Sequence, residues 1–140
     1  MKRTGSAVWN GSIKEGAGTI STESGALDAL PYSFKKRFGD EKGTNPEELI
    51  GAAHASCFSM ALSLMLGEAG FTAEEIKSSS AVTIEQQGGG FTITTVDLSV
   101  AAKIPGIDEA QFKEIATKAK EGCPVSKLLN AKINFEATLA

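Results

Sequence analysis

Histidine, tryptophan and tyrosine each occur once in the 140-residue sequence, and cysteine occurs only twice, at Cys57 and Cys123. So few soft ligands, without metal-ligand spacing among them, give no basis for a zinc or other metal site. Positive charge is not in excess either. With a net charge of −3 the chain lacks the basic face that nucleic acid would require. No apolar segment follows Lys2 and Arg3, so no secretory signal is expected and the expected compartment is the cytoplasm. Permanent disulfides are rare there, which leaves the two cysteines as reactive or inert thiols. No internal repeat or low-complexity tract interrupts the chain, and its length suits one domain, residues 1–140.

What the sequence does have is a charge-free run, Leu49 to Gly67, that holds Cys57, His54, Ser56, Ser59 and Ser63. Such a run nearly matches a bilayer core of about 30 Å. Its glycine, histidine, serines and alanines make it too polar for a typical span, and no basic flank marks an inside end. No membrane association is expected. A helix apolar nearly all round but too polar for lipid belongs in the centre of a globular protein or at a subunit interface.

The flanking signals describe an α+β chain. SAVWNGS and GAGTIST read as two short strands, followed by a polar loop from Glu23 to Thr44 that contains a short edge strand near Pro31–Phe34 and the basic run Lys35, Lys36, Arg37. Asn45 is placed as an N-cap, with Pro46 at the first helical position and Glu48 set for a capping box. Gly67 and Gly70 both suit the helix end. Two strands, Lys77–Gln87 and Phe91–Ile104, flank the Gly88–Gly90 turn. A change of alternation near Thr94–Thr95 points to a β-bulge in the second of them or to a strand that serves two environments. Asp108 caps a helix whose stripe is Phe112, Ile115, Ala116 and Ala119. After Gly122, Cys123-Pro124-Val125-Ser126 opens a short helix, and Ile133, Phe135, Ala137 and Leu139 alternate along a final strand.

Taken singly, the chemistry-bearing residues leave their roles open. Cys123 falls at an N-cap, where backbone N–H groups favour a thiolate, and it is equally readable as an inert cap. Cys57 in mid-helix is most simply a small buried apolar residue. Arg37 reads as a solvated loop charge, and Glu47 as an acid favoured by the helix dipole. His54 sits three residues before Cys57 on one helical face, so a Cys–His nucleophile pair for acyl transfer is geometrically conceivable.

The segments NPEELIGAAHASCFSMAL and GCPVS, together with AVWNGSIKEGAGTISTESGAL, PYSFKKRFGDEKGT and PGID, make the chain resemble the family of osmotically inducible protein C (OsmC) and organic hydroperoxide resistance (Ohr) proteins, closest to the OsmC branch. The resemblance implies an intertwined homodimer in which antiparallel sheets wrap long central helices. It implies a peroxidatic Cys57, a resolving Cys123 and an activating pair of Arg37 and Glu47. The implied reaction is reduction of organic hydroperoxides, and more weakly of hydrogen peroxide, in oxidative or osmotic stress defence. No prosthetic group or metal is implied. The implied reductant is an external dithiol, dihydrolipoamide or a lipoyl-bearing protein. A different reading keeps the fold without the catalysis, as a stress-response binding protein that holds a lipid-like ligand in the dimer cavity.

Ten residues of unbroken helix would separate Glu47 from Cys57 by about 15 Å along the axis, too far for one guanidinium to touch both. A break near Gly51, or assembly of the site across a subunit interface, would resolve this.

Overall fold

Polar turn residues between Gly11 and Gly16 fold the start of the chain into a hairpin. Strands β1 (Gly5–Asn10) and β2 (Ala17–Thr22) pair antiparallel, with Gly5 opposite Thr22 and Asn10 opposite Ala17. A third short strand, β3 (Leu30–Tyr32), adds antiparallel to β2. Trp9 and Tyr32 flank Gly18 in the ladder, and their rings meet over it with centroids 5.3 Å apart. The basic run lies not in a loop but on a helix, α1 (Phe34–Phe38). Ser33 is the reason: its hydroxyl accepts from the Lys36 N–H at 3.2 Å and caps a turn that composition alone reads as irregular.

The computed structural model describes residues 1–140, which fall into two compact units, residues 1–49 and 50–140. The long helix α2 (Pro46–Glu68) starts in the first unit and runs through Gly51 without a break. Asn45 caps it as expected, its Oδ1 accepting from the Glu48 N–H at 2.8 Å. Gly70 rather than Gly67 ends it. With φ +88°, Gly70 turns the chain so that the Phe71 N–H returns to the Leu66 carbonyl at 2.8 Å, a Schellman closure.

In the second unit α2 packs beside a three-stranded sheet of order β4-β5-β6. Strands β4 (Glu75–Gln87) and β5 (Gly90–Lys103) form a long antiparallel hairpin around Gly88–Gly89. The register shifts between Thr83 and Ile84, leaving Thr94 without a partner position, which is the bulge, the first of the two outcomes that the alternation left open. Helices α3 (Glu109–Gly122) and α4 (Pro124–Leu128) then carry the chain to β6 (Lys132–Leu139). Here one pairing departs from an all-antiparallel arrangement, because β6 runs parallel to β5. The two helices form the crossover that a parallel pair requires, returning the chain to the end of the sheet where β5 begins.

The core of this unit joins Phe58, Leu62 and Leu66 of α2 to Leu98, Val100 and Ala102 of β5 and to the predicted stripe of α3. Phe58 meets Phe135 of β6 edge-on at 5.4 Å. On β4 the inward positions include two serines. Ser78 bonds Ser59 at 2.9 Å, and Ser80 bonds His54 at 2.9 Å. These polar inward positions are satisfied by polar residues of α2, so the seam between helix and strand is hydrogen-bonded rather than purely apolar.

The rest of α2 faces outward. Met60 and Leu64 are 75% and 64% exposed, and the apolar stretch, of mean hydropathy 1.7, is long and apolar enough to cross a membrane by length and composition, contrary to the expectation that its serines and histidine make it too polar; a core helix meets the same criterion.

Gly51 sits where the seam is tightest, since a Cβ there would lie 2.5 Å from the Ser80 carbonyl oxygen. Alanine normally stabilises a helix interior over glycine by up to about 1 kcal/mol. At this position Gly51→Ala should instead destabilise by about 1–3 kcal/mol through overpacking. Gly67→Ala, with nothing within 4 Å of its added Cβ, should be neutral or stabilising. Urea midpoints of the two variants, with unchanged m-values, test this contrast.

Candidate active site

Two i,i+3 pairs face one another across α2 and α4. The helix repeat puts His54 and Cys57 on one side of α2, and Cys123 with Ser126 occupies the N-cap and third position of α4. His54 Nε2 lies 2.8 Å from Ser126 Oγ. Cys57 packs against the buried cluster that includes Cys123, and the Val125 N–H favours the Cys57 thiolate. Both thiols are free, Cys123 is fully buried and Cys57 is half-buried. The expected N-cap position of Cys123 is thus met, with Pro124 at the first helical position.

The two thiols experience opposite balances. Burial raises the Cys57 pKa and the Cys123 thiol beside it adds to the rise, while the Val125 N–H only partly opposes them. At Cys123 burial acts in the same upward direction but is outweighed. The Ser126 N–H, the Cys57 thiol, the Ser126 hydroxyl and the Val125 N–H all favour its anion, and its pKa falls below the usual thiol value. Burial lowers the pKa of His54, which is therefore a neutral imidazole at pH 7, held on both ring nitrogens by serine hydroxyls.

In the first unit, Arg37 and Glu47 form a bidentate pair. Arg37 Nε reaches both carboxylate oxygens at 3.2 and 3.1 Å, and Nη2 reaches Oε1 at 2.6 Å. Glu47 is buried while Arg37 retains about a third of its side-chain exposure, so the carboxylate fixes a guanidinium that still has an open face. Arg37 is neither a free loop charge nor an isolated one. Its guanidinium carbon stands 5.1 Å from the centre of the Phe38 ring. It also lines an apolar cleft of about 220 Å³ with Trp9, Ile13, Tyr32, Phe34 and Phe38.

Of the expected site residues, Arg37 is bonded to Glu47, and Cys57 packs against the cluster that holds Cys123. Ser80, Val125 and Ser126 surround the sulfurs and the imidazole and were not singled out from the sequence. For Ser126 a signal existed, because a residue three after an N-cap lies against the cap residue. No three His, Cys, Asp or Glu side chains gather as a metal would need.

A family described as OsmC-like protein matches residues 39–138 of this chain. The chain belongs to the OsmC family. Peroxiredoxin OsmC of Escherichia coli (strain K12) is 56% identical over 139 residues, covering 99% of this chain and 97% of that one. More distant within the same group is an organic hydroperoxide resistance protein of Xanthomonas axonopodis pv. citri, 36% identical over 119 residues, or 82% of this chain and 80% of that one. Among solved structures, an organic hydroperoxide resistance protein from Elizabethkingia anophelis superposes with a TM-score of 0.76 at 25% identity, over 100% of this OsmC-family chain and 99% of that one.

The Arg37–Glu47 pair should be worth stability as well as position. Arg37→Ala strands a buried carboxylate and should cost about 1–3 kcal/mol, toward the low end because the arginine is partly solvated. Replacing both residues by leucine and methionine should cost less than the two single losses added, and a double-mutant cycle by urea denaturation measures the difference.

Proposed function

We propose that this chain is a two-cysteine peroxidase of organic hydroperoxides, with Cys57 peroxidatic and Cys123 resolving. The observation that carries the proposal is the packing of Cys57 against the buried cluster that holds Cys123, both thiols being free, reinforced by relatives named peroxiredoxin and organic hydroperoxide resistance protein. The Cys57 thiolate attacks the distal oxygen of ROOH, the O–O bond breaks, ROH leaves and a sulfenic acid remains. The Cys123 thiolate then attacks the Cys57 sulfur, forming the disulfide and releasing water. Hydrogen peroxide is a poorer substrate than an organic hydroperoxide, and the work of the enzyme is cytoplasmic stress defence.

Burial pushes the Cys57 thiol up, so the first step needs a cation to stabilise the thiolate and the developing charge on the departing oxygen. Arg37 fills that role, with Glu47 as its holder. Because α2 is unbroken at Gly51, Glu47 and Cys57 are about 15 Å apart along one axis, which favours assembly of the site across a homodimer. The exposed Met60 and Leu64 give α2 an apolar face for the second copy to cover. On this reading residues 1–140 act as one OsmC-like domain in the dimer. An external dithiol, dihydrolipoamide or a lipoyl-bearing protein, reopens the disulfide, and no prosthetic group takes part.

One equivalent of tert-butyl hydroperoxide added to the reduced protein should remove both thiols within one chain, read by intact mass and free-thiol titration. Cys57→Ser should abolish the loss, and Cys123→Ser should stop the reaction at the sulfenic acid. Survival of both thiols would overturn the peroxidase reading and turn attention to a ligand of the dimer cavity.

A further inference from the structure

His54 is a buried imidazole that the two-thiol reaction does not use, yet it sits at the centre of a continuous polar line. Its Nδ1 lies 2.9 Å from Ser80 Oγ on β4, and its Nε2 lies 2.8 Å from Ser126 Oγ on α4. Ser126 is the third residue of α4 and Cys123 is its N-cap, a spacing that lays the serine side chain against the cap residue. The Ser126 hydroxyl is among the groups that favour the Cys123 anion, after the Ser126 N–H and the Cys57 thiol. Cys57 stands next along the α2 face, three residues from His54. Ser80, His54 and Ser126 are thus bonded in line, and Ser126 leads to Cys123 and to the cluster against which Cys57 packs.

We propose that His54 is a positioning residue for the resolving step: clamped by Ser80, it fixes the Ser126 hydroxyl on the Cys123 sulfur, and so holds that sulfur as the nucleophile for Cys57. This rests on the two-cysteine reading above and deepens it. A neutral imidazole carries one donor and one acceptor. With the Ser80 hydroxyl donating to Nδ1, the Nε2–H donates to Ser126 Oγ, and the serine has its own hydrogen free to donate to sulfur. A serine without this partner rotates among its staggered wells and spends less time aimed at the thiolate.

In the step itself the S–S bond forms as the S–O bond of the sulfenic acid breaks. The departing oxygen takes up a proton equivalent to the one Cys123 gave up and leaves as water. Cys123 is oxidised, the Cys57 sulfur is reduced from the sulfenic to the disulfide level, and no reactant beyond the first hydroperoxide is required. Apart from the two thiols acting on each other, no titratable group is among the causes that shift His54, Cys57 or Cys123. Ser80 and Ser78 come from β4 and Ser126 from α4, and burial is the sole cause of the His54 shift.

Single-turnover stopped flow with tert-butyl hydroperoxide, paired with acid-quenched intact mass, separates sulfenic acid formation from disulfide formation. Ser126→Ala removes one oxygen and is the variant least prone to misfold. It should slow disulfide formation about tenfold, accumulate the sulfenic acid, and move the pH midpoint of that phase upward, with the peroxide-dependent phase within about twofold of the unsubstituted protein. Ser126→Thr, which keeps the hydroxyl, should restore both rate and midpoint. His54→Gln should resemble Ser126→Ala, and the double variant should be no slower than either one, since both cut the same line.

Disulfide formation at an unchanged rate and midpoint in Ser126→Ala, or equal slowing of both phases, would overturn the proposal and leave His54 a structural tie between α2, β4 and α4. If the unsubstituted protein forms no disulfide at all, it is the two-cysteine reading that fails.

Discussion

A sulfur that must ionise inside an apolar core loses the water that would stabilise its anion, and the surroundings of Cys57 and Cys123 are arranged around that loss. Cys57 lies in the middle of α2, where every nearby backbone N–H is engaged in the helix itself. Apart from the Val125 N–H it has little to oppose burial. Cys123 lies where α3 ends and α4 begins, and there the first N–H groups of a new helix have no helical acceptor of their own. The same burial therefore leaves one thiol protonated and the other inclined to ionise. On the two-cysteine reading, Cys57 needs a cation beside it to form its thiolate, and a guanidinium held by a carboxylate would supply it.

The α2–β4 seam serves the same constraint at one remove. Serines at inward strand positions weaken a core unless each finds a partner, and here Ser78 and Ser80 meet Ser59 and His54. Close approach at Gly51 brings the helix within reach of the strand for those bonds to form. The polar seam fixes the rotation of α2 about its own axis, because a helix rolled by one residue would bury His54 without either serine. Rotation of α2 in turn decides where Cys57 points. An all-apolar seam would pack as tightly and leave that rotation less sharply defined.

Much of this was legible in the residues. Asn45-Pro46, the glycine turn, the alternation break at Thr94 and the Phe112 stripe each state a local rule that the fold obeys. The motif around Cys57 and the Cys123-Pro124-Val125-Ser126 stretch carried the family resemblance. What the sequence hid was of two kinds. The helix around Arg37 depends on one serine cap in a stretch whose composition reads as loop, and the parallel pairing of β6 depends on how far a crossover travels rather than on any pattern within the strand. His54 was visible, but its value was not: a lone histidine gains meaning only from the two hydroxyls, 26 and 72 residues away in sequence, that hold its ring.

On the two-cysteine reading, the backbone at Cys123 suits a resolving thiol. Its N–H bonds the Ala119 carbonyl at 2.9 Å, closing α3, and its own carbonyl accepts from the Lys127 N–H at 3.1 Å, opening α4. The residue is extended, with φ −58° and ψ 125°, yet tied to a helix on each side. It is therefore free of the helical path without being free to wander. A disulfide needs Cα atoms within about 4.4–6.8 Å and a narrow range of side-chain torsions. A thiol on a loose loop would reach that geometry only by a slow search, and the sulfenic acid would wait exposed to a second hydroperoxide. In the reaction proposed above, Cys123, pinned between two helices, would have little more than its own χ1 to adjust, and the entropy of the encounter would be removed when the protein folds rather than in each turnover.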